Sequence, residues 1–446
     1  MAPHLPTGTI TQPSARTRSA GGSLGRLVIR WVYPAHHMSI ATHGHIIGRD
    51  PSCHTVLEGG EVSRRHVEIV CSGALPVLRD LDSRNGLFVN GLRVPEQRVG
   101  PQDIVRVGEW LGVVVEGANE QLDDDQLHEL VPGWFASAGI LRAVAPLRRA
   151  VQAALPIVVQ GETGAGKEGI ARAAHVFSGR PGPFLAIDCG ALPEHLVEGQ
   201  LFGYRKGAFT GADRPYPGLF RAADGGTLFL DEVLNLTAPL QAKLLRVLEQ
   251  REVLPLGESR PVPIDVRVVC AAQESLAQAA DDGRLRKDLL ARLDGFTFVL
   301  TPLRGRKEDI VALFRQLLAE HGNPLDVEPR FIESLLLYDW PLNVRELVLT
   351  ARRLLALAVE RPWSRQSLPA RIQRSPTSER AVEVQVTPRT RAPTDDADAF
   401  EALVASLREH EGNLTHAVAA LGMTRSRAYR LFAAHPEQAA AARKSL

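Results

Sequence analysis

The run Gly161-Glu162-Thr163-Gly164-Ala165-Gly166-Lys167-Glu168 has the residue types needed to hold a phosphate chain. Glycines let the backbone turn its N–H groups towards an anion. A helix starting there presents its positive end, and the lysine adds a charge. The spacing is that of a P-loop, in which Lys167 reaches the β- and γ-phosphates of ATP. A hydroxyl residue ordinarily follows that lysine and binds Mg2+. Here it is Glu168, so the metal must lean on other groups and on water. Such groups lie downstream, where Thr227-Leu-Phe-Leu230 ends in Asp231-Glu232. Asp231 is placed to hold Mg2+ through water, and Glu232 to orient and polarise an attacking water. A glycine-rich turn and two helix-capping acids are the bland readings of these motifs taken singly. Together, in this order, they point to ATP hydrolysis.

A second constellation lies nearer the start. Gly48-Arg49, Ser63-Arg64-Arg65-His66 and Asp82-Ser83-Arg84-Asn85-Gly86 put guanidinium, hydroxyl and amide groups on turns. Arg49 and Arg64 supply charge-assisted clamps for a phosphate, and Ser63 supplies a hydroxyl donor. Asn85, with Arg84 beside it, adds an amide that can both donate and accept. His66 is expected to brace the turn rather than touch ligand. A sandwich kept only for packing does not require Arg49, Ser63 and Asn85 together. A third set lies near the end, where Thr424 caps a helix bearing Arg425, Arg427, Tyr429 and Arg430, after a helical stretch at 413–421 and the turn Gly422-Met423. Helix, glycine turn and basic helix is a layout that reads DNA, and a small oligomerising bundle is the alternative. Over 398–446 six basic residues nearly cancel five acidic ones, so DNA affinity must come from the local cluster and from two copies in a dimer.

The elements that must position these groups follow from the pattern. Residues 1–23 read as a disordered tail. Across 24–117, short apolar runs such as Leu27-Val-Ile29, Val67-Glu-Ile-Val70 and Val113-Val-Val115 alternate with turn signals, which points to a β-sandwich. The acidic stretch 123–130 reads as a helical connector. From 130 to 302, apolar runs at 157–159, 184–187, 227–230, 266–269 and 296–300 alternate with amphipathic stretches, as in a parallel sheet covered by helices. Residues 303–362 read as a helical lid, 363–397 as a linker rich in Arg and Pro, and 398–446 as a small all-α helix-turn-helix. The fold class is therefore multidomain.

Composition sets the outer bounds. Among 446 residues, 52 Lys+Arg balance 51 Asp+Glu, which excludes a surface that is basic throughout but not one small basic module. An apolar share of 44% excludes a mostly disordered chain. No apolar run approaches the ~20 residues of a membrane helix. The first residues lack a signal-peptide pattern, and four dispersed cysteines build neither a disulfide scaffold nor an obvious zinc site. A cytoplasmic location without a membrane partner is expected.

One segment carries a family resemblance. Leu201-Phe-Gly-Tyr-Arg-Lys-Gly207-Ala208-Phe209-Thr210-Gly211-Ala212 contains an intact GAFTGA hexapeptide and resembles the signature of bacterial sigma-54-dependent transcription activators of the AAA+ class. The P-loop, the Asp-Glu strand and Trp340-Pro-Leu-Asn-Val-Arg345-Glu-Leu, similar to WPGNVREL, fall in that family's order over about residues 130–362. The resemblance implies roles that spacing does not. Arg286 and Arg292, otherwise ordinary helix-surface arginines, match trans-acting finger positions. Arg345 matches the lid's sensor arginine, and Gln273 stands where the family usually has a sensor Asn. Residues 207–212 match the loop that touches sigma-54, with Phe209 and Thr210 at its tip. Three departures bear on coupling. Asp188 replaces an Asn that restrains the catalytic Glu, and a carboxylate facing Glu232 would repel it. Leu342 replaces the Gly of WPGNVREL, and Tyr204-Arg205 replaces His-Glu. The N-terminal constellation resembles a forkhead-associated (FHA) domain, which implies phosphothreonine binding, with Asn85 and its neighbour Arg84 holding the bound peptide's backbone. The C-terminal one resembles a Fis-type DNA-binding domain.

The expectation is an activator using ATP and Mg2+ that remodels closed complexes of sigma-54 RNA polymerase. It would work as a ring, because fingers act in trans, and would be tethered to upstream double-stranded DNA as a dimer. Its signal would come from a phosphothreonine-containing protein, a Ser/Thr kinase or its substrate. The rivals are an AAA+ remodeller of another client and a non-enzymatic phosphopeptide-binding DNA adaptor. The intact 207–212 loop speaks against the first, and intact Lys167, Asp231 and Glu232 against the second.

Overall fold

A computed structural model describes residues 27–71, 75–116, 127–191, 193–209, 212–357, 361–373 and 403. The expected tail at 1–23 lies outside them. So does the helix-turn-helix with Thr424, Arg425, Arg427, Tyr429 and Arg430.

The N-terminal strands are β1 (Leu27–Tyr33), β2 (His37–Ile40), β3 (His45–Gly48), β4 (Thr55–Val56), β5 (Val67–Cys71), β6 (Pro76–Asp80), β7 (Leu87–Val89), β8 (Leu92–Val94), β9 (Glu96–Arg98), β10 (Ile104–Val107) and β11 (Trp110–Glu116). They form two sheets, β2-β1-β11-β10-β7-β8 and β4-β3-β5-β6-β9. Ile29, Trp31, Ile47, Ile69, Leu78, Val105 and Val114 fill the space between them. Strands β10 and β11 have no solvent face. Ile104, Leu111, Val113 and Val115 point the other way, with Val28 and Val32 of β1, into a second core shared with helices far downstream. Burial on both sides is why 113–115 is an unbroken valine run rather than an alternation.

A hairpin follows, β12 (His128–Val131) and β13 (Trp134–Ala136). The helix expected at 123–130 is therefore wrong in its described part. Pro132-Gly133 reverses the chain, with Gly133 at φ +74° and its N–H donated to Glu129 Oε1 at 2.7 Å.

The α/β module comprises α1 (Ala138–Gln152), β14 (Ile157–Gln160), α2 (Lys167–Ser178), β15 (Phe184–Asp188), α3 (Glu194–Phe202), α4 (Leu219–Ala222), β16 (Thr227–Asp231), α5 (Ala238–Gln250), β17 (Glu252–Val253), β18 (Val262–Pro263), β19 (Arg267–Ala272), α6 (Leu276–Asp281), α7 (Lys287–Leu293) and β20 (Phe296–Val299). The main sheet is parallel, in the order β15-β16-β19-β14-β20. Its side chains alternate between two cores. Leu228, Leu230 and Cys270 face one, and Ile157, Val159, Phe229 and Val269 face the other. The carboxyl ends of β14, β16 and β19 bring residues 161–167, 231–232 and 273 to one edge, where ligands of such sheets bind.

The lid holds α8 (Glu308–Ala319), α9 (Pro329–Leu337), α10 (Asn343–Leu357) and α11 (Ala370–Gln373). Residues 363–373, expected to begin a linker, are folded onto it. Trp363 and Ile372 are fully buried there, and Arg371 Nε pairs with the buried Glu346 Oε1 at 3.0 Å. The spaced apolar residues Trp363, Leu368 and Ile372 outweigh the Arg and Pro content that hid them.

The second core of the sandwich is the core of this lid. Val28, Ile104, Leu111 and Val113 pack with Ile310, Phe314, Phe331, Ile332 and Leu335. Across that contact Arg106 Nε meets Glu333 Oε1 at 3.0 Å, both nearly buried, and the Arg106 guanidinium lies 3.6 Å over the Phe88 ring. Tyr33 Oη donates to Val327 O at 2.6 Å. Among the described residues no helix is long and apolar enough to cross a membrane.

Candidate functional site

Strand β14 delivers the chain into the phosphate loop and α2 takes it away at Lys167. Gly164 has φ +73°, and a Cβ on it would stand 2.2 Å from the Leu342 carbonyl oxygen, so both conformation and space require glycine. Lys167 is only 5% exposed. Its Nζ donates to Gly161 O at 3.1 Å and Glu232 Oε1 at 2.9 Å, with Asp231 Oδ1 at 3.8 Å. Gln273 Nε2 donates to the same Glu232 oxygen at 3.0 Å. Glu232 sits at φ +52°, and its N–H binds Asp231 Oδ1 at 3.0 Å. Burial raises the Asp231 carboxyl above its ordinary range. Lys167 pulls it back, while Glu232 and Asp188 push it further. Burial beside the same carboxylates pushes the Cys189 thiol up to about 12, so this neighbour stays protonated and unreactive.

The other expected site residues divide around this centre. Glu162 is gripped by both Nη atoms of Arg304, and this holds its carboxyl below the usual range. Thr163 O accepts from Asn343 Nδ2 at 3.0 Å, and Gly164 O faces the Arg345 N–H at 3.4 Å, while the Arg345 side chain is exposed. Glu168 turns outward and pairs with Arg172 at 2.6 Å, one helical turn on. Arg286 is paired with Asp288 at 2.7 Å, and Arg292 Nη2 donates to Leu248 O at 3.2 Å. Both bonds lead away from this chain's phosphate loop. Asp188 lies in register with Asp231 on the next strand, and its Oδ1 accepts the Gly190 N–H at 2.8 Å. Its charge therefore bears on Asp231, and the hydrogen-bond partners of the Glu232 carboxylate are Lys167 and Gln273. Leu342 is 45% exposed, so its side chain costs the loop no space.

The groups fit a nucleotide with its metal: a buried lysine and glycine N–H groups as donors to phosphate, and two carboxylates as acceptors at the same edge. Among the described residues no three His, Cys, Asp or Glu side chains could hold a metal by themselves. Asp231 with water and phosphate oxygens is the kind of set Mg2+ accepts.

The described residues of the 207–212 loop follow α3, which ends at Phe202. Gly207 N donates to Ala212 O at 2.8 Å and Ala212 N to Phe209 O at 3.0 Å, which closes its base. Phe209 is 41% exposed, edge-on to Tyr204 at 4.9 Å between ring centres. Ala208 lies within the loop, and Thr210 and Gly211 are outside the described residues.

On the sandwich, Arg49, Ser63, Arg64 and Arg84 surround a concavity of about 600 Å³. Gly48 lets two loops meet, since a Cβ there would lie 2.2 Å from Arg64 O. Ser63 Oγ accepts the Arg84 N–H at 3.0 Å and keeps its hydroxyl hydrogen to donate. His66 is fully buried, takes the Ser63 N–H on Nδ1 at 3.1 Å and meets Gly86 O through Nε2 at 3.2 Å. It braces the turn, and burial holds it below the usual histidine range. Asn85 stands outside that lining, with Nδ2 donating to Glu61 O at 2.8 Å.

Comparison with known proteins agrees with this division. The family described as Sigma-54 interaction domain matches residues 135–299, the FHA domain 45–108 and the AAA+ ATPase lid domain 304–385. The C4-dicarboxylate transport transcriptional regulatory protein DctD of Pseudomonas aeruginosa is 46% identical over 234 residues, 51% of this chain and 50% of that one. The Sigma54-dependent transcriptional activator SfnR of Pseudomonas putida is 45% identical over 210 residues, 46% of this chain and 57% of that one. The transcriptional regulatory protein ZraR of Klebsiella oxytoca is 35% identical over 325 residues, 69% of this chain and 71% of that one. The chain belongs to the sigma-54-dependent transcriptional regulators.

This regulator spans about half the length of several of the curated relatives it matches. Sequence reasoning missed some of its site residues. Arg65 joins the lining of the FHA concavity, and the run Arg64-Arg65 was the available signal. Arg304, Arg306 and Asn343 reach the phosphate loop from the lid side. Only the density of charge in Leu303-Arg-Gly-Arg-Lys-Glu-Asp309 hinted at the first two.

Proposed function

We propose that this regulator is an ATP-hydrolysing activator that remodels sigma-54 RNA polymerase closed complexes under a phosphothreonine input. The observation that carries the reading is Glu232 held between Lys167 and Gln273 beside the phosphate loop. Lys167 is the counter-ion of Glu232 until phosphate takes its place. Released from the lysine, Glu232 orients and polarises the attacking water, with Gln273 keeping its aim. Asp231 would hold Mg2+ through water, and the metal would supply positive charge to the phosphates. Arg345 reads the nucleotide from the lid. Arg286 and Arg292 serve the neighbouring subunit of a ring, for which Arg286 must leave Asp288. Nucleotide turnover moves 207–212 against sigma-54. The FHA concavity takes the phosphothreonine of a kinase or its substrate. Residues 398–446 bind upstream DNA as a dimer, and the setting is cytoplasmic.

The test is in vitro transcription from a sigma-54 promoter with Thr210→Ala. ATPase activity is expected within about twofold of wild type while open complexes are lost. Activation that persists would assign a different client.

A further inference from the structure

Three successive carbonyls of the phosphate loop are held from outside the sheet. Asn343 Nδ2 donates to Thr163 O at 3.0 Å, the Arg345 N–H faces Gly164 O at 3.4 Å, and Arg306 Nη2 donates to Ala165 O at 3.0 Å. In a trans peptide the C=O and the following N–H point opposite ways. The holds on Thr163 O and Ala165 O therefore turn the N–H groups of Gly164 and Gly166 to the other side of the loop, while the Ala165 N–H closes on Glu162 O at 3.2 Å within it. Arg306 is itself fixed. It is 8% exposed, with Nε on Thr301 O at 3.1 Å and Nη1 on the buried Asp309 at 3.3 Å. Asn343 is fully buried, and its Oδ1 takes the Leu303 N–H at 2.8 Å.

The sandwich grips the same stretch. Gln102, in the turn before β10, accepts the Lys307 N–H on Oε1 at 2.9 Å and donates Nε2 to Glu308 Oε2 at 3.2 Å. Lys307 Nζ returns a bond to Gln102 O at 3.2 Å. Residues 307 and 308 are thus held by the sandwich, and their neighbour Arg306, braced by Asp309, holds the loop. Gln102 has φ +69°, a conformation that disfavours any residue with a Cβ. Glycine would be at ease there, but only a side chain makes the bonds to 307 and 308.

We propose that the FHA sandwich is a working part of the nucleotide site: Gln102 fixes residues 306–309, and Arg306 and Asn343 are positioning residues that aim the N–H groups of the phosphate loop. The proposal rests on reading 161–168 as the nucleotide site. Gln102 lies in the sandwich, so its effect must pass through the lid.

The experiment uses the full chain, wild type, Gln102→Gly and Arg306→Lys, with Mg-ATP binding by calorimetry and steady-state hydrolysis. Gln102→Gly removes two side-chain bonds but relieves the left-handed backbone, so Tm should stay within about 2 °C. Its KM and Kd for ATP should rise roughly 3- to 10-fold with kcat unchanged, because aimed N–H groups bind substrate and transition state alike. Arg306→Lys cannot make all three bonds of the guanidinium and should raise KM roughly 10- to 30-fold. Unmoved KM and Kd in Gln102→Gly would overturn the proposal, whatever happens to kcat or Tm. Absence of ATP binding by the wild type would instead contradict the nucleotide reading, and the proposal with it.

Discussion

In the nucleotide site Lys167 is 5% exposed and already shared among Gly161, Glu232 and Asp231. In the FHA concavity Arg49, Arg64, Arg65 and Arg84 stand exposed on loops. The first site offers phosphate backbone N–H groups held by a lid, plus one cation that must leave a carboxylate. The second offers guanidinium forks in water. The difference lies in what binding must break. On the proposed reading a nucleotide would displace an internal ion pair and so free Glu232 at the moment it arrives, which would tie water activation to occupancy. On the same reading a phosphopeptide would displace only solvent and salt ions, so binding at the concavity would be fast but open to screening.

Breaking the buried side has the largest effect. Lys167→Ala should abolish nucleotide binding, because it removes the charge for the phosphates and leaves Asp231 and Glu232 without their shared counter-ion. Calorimetric titration with Mg-ATP checks this, and an affinity within about tenfold of wild type would erase the contrast. Next comes the contact joining the two regions. Glu333→Ala leaves the nearly buried Arg106 unpaired, which should cost about 3 kcal/mol. Thermal unfolding should then begin roughly 6–12 °C lower. An unchanged midpoint would mean the sandwich is not anchored to the lid by that pair.

The exposed side gives smaller numbers. Arg49→Ala should weaken a phosphothreonine peptide about 10- to 100-fold with the domain still folded, and Ser63→Ala less, since it removes a neutral donor. Raising salt should weaken this peptide more than Mg-ATP. A module that binds phosphorylated and unphosphorylated threonine peptides equally would remove the phosphothreonine input. The smallest effect concerns Asp231. Its folded carboxyl is raised by burial, so ionisation at neutral pH costs stability, and the cost is relieved as pH falls through the raised value. Asp231→Asn should therefore lift the apo Tm at pH 7 by about 2 °C, with the gain vanishing in acid. A fall in Tm at pH 7 would show that Lys167 outweighs burial.

Much of the nucleotide site was legible because its residues sit at strand ends that the apolar runs already mark. Lys167, Asp231 and Glu232 each come after such a run, and the parallel order brings those ends together; Gln273 came from the family resemblance alone. The sandwich was legible for the same reason. Its partner was not. The unbroken run Val113-Val114-Val115 signals a strand buried twice, but nothing local says that Phe314 and Phe331 cover it. Arg106 and Glu333 meet across 227 positions of chain, and single-sequence periodicity has no access to such a pair. Arg306 and Asn343 were missed because they act on loop carbonyls, which every residue type carries. The connector was misread over its described residues, 127–130, on acidic composition, although Pro132-Gly133 was a turn signal. Residues 363–373 were misread on Arg and Pro content, although three apolar residues at short spacing bury there.

The most direct measurement is steady-state hydrolysis of Mg-ATP by the full chain, wild type against Glu232→Gln, with ATP affinity determined in parallel. If Lys167 holds Glu232 only until phosphate replaces it, the amide variant should bind ATP within about threefold of wild type and lose at least ~100-fold in kcat. Equal kcat in the two proteins would contradict the role of Glu232 and, with it, the reading of this edge of the sheet as the site of hydrolysis.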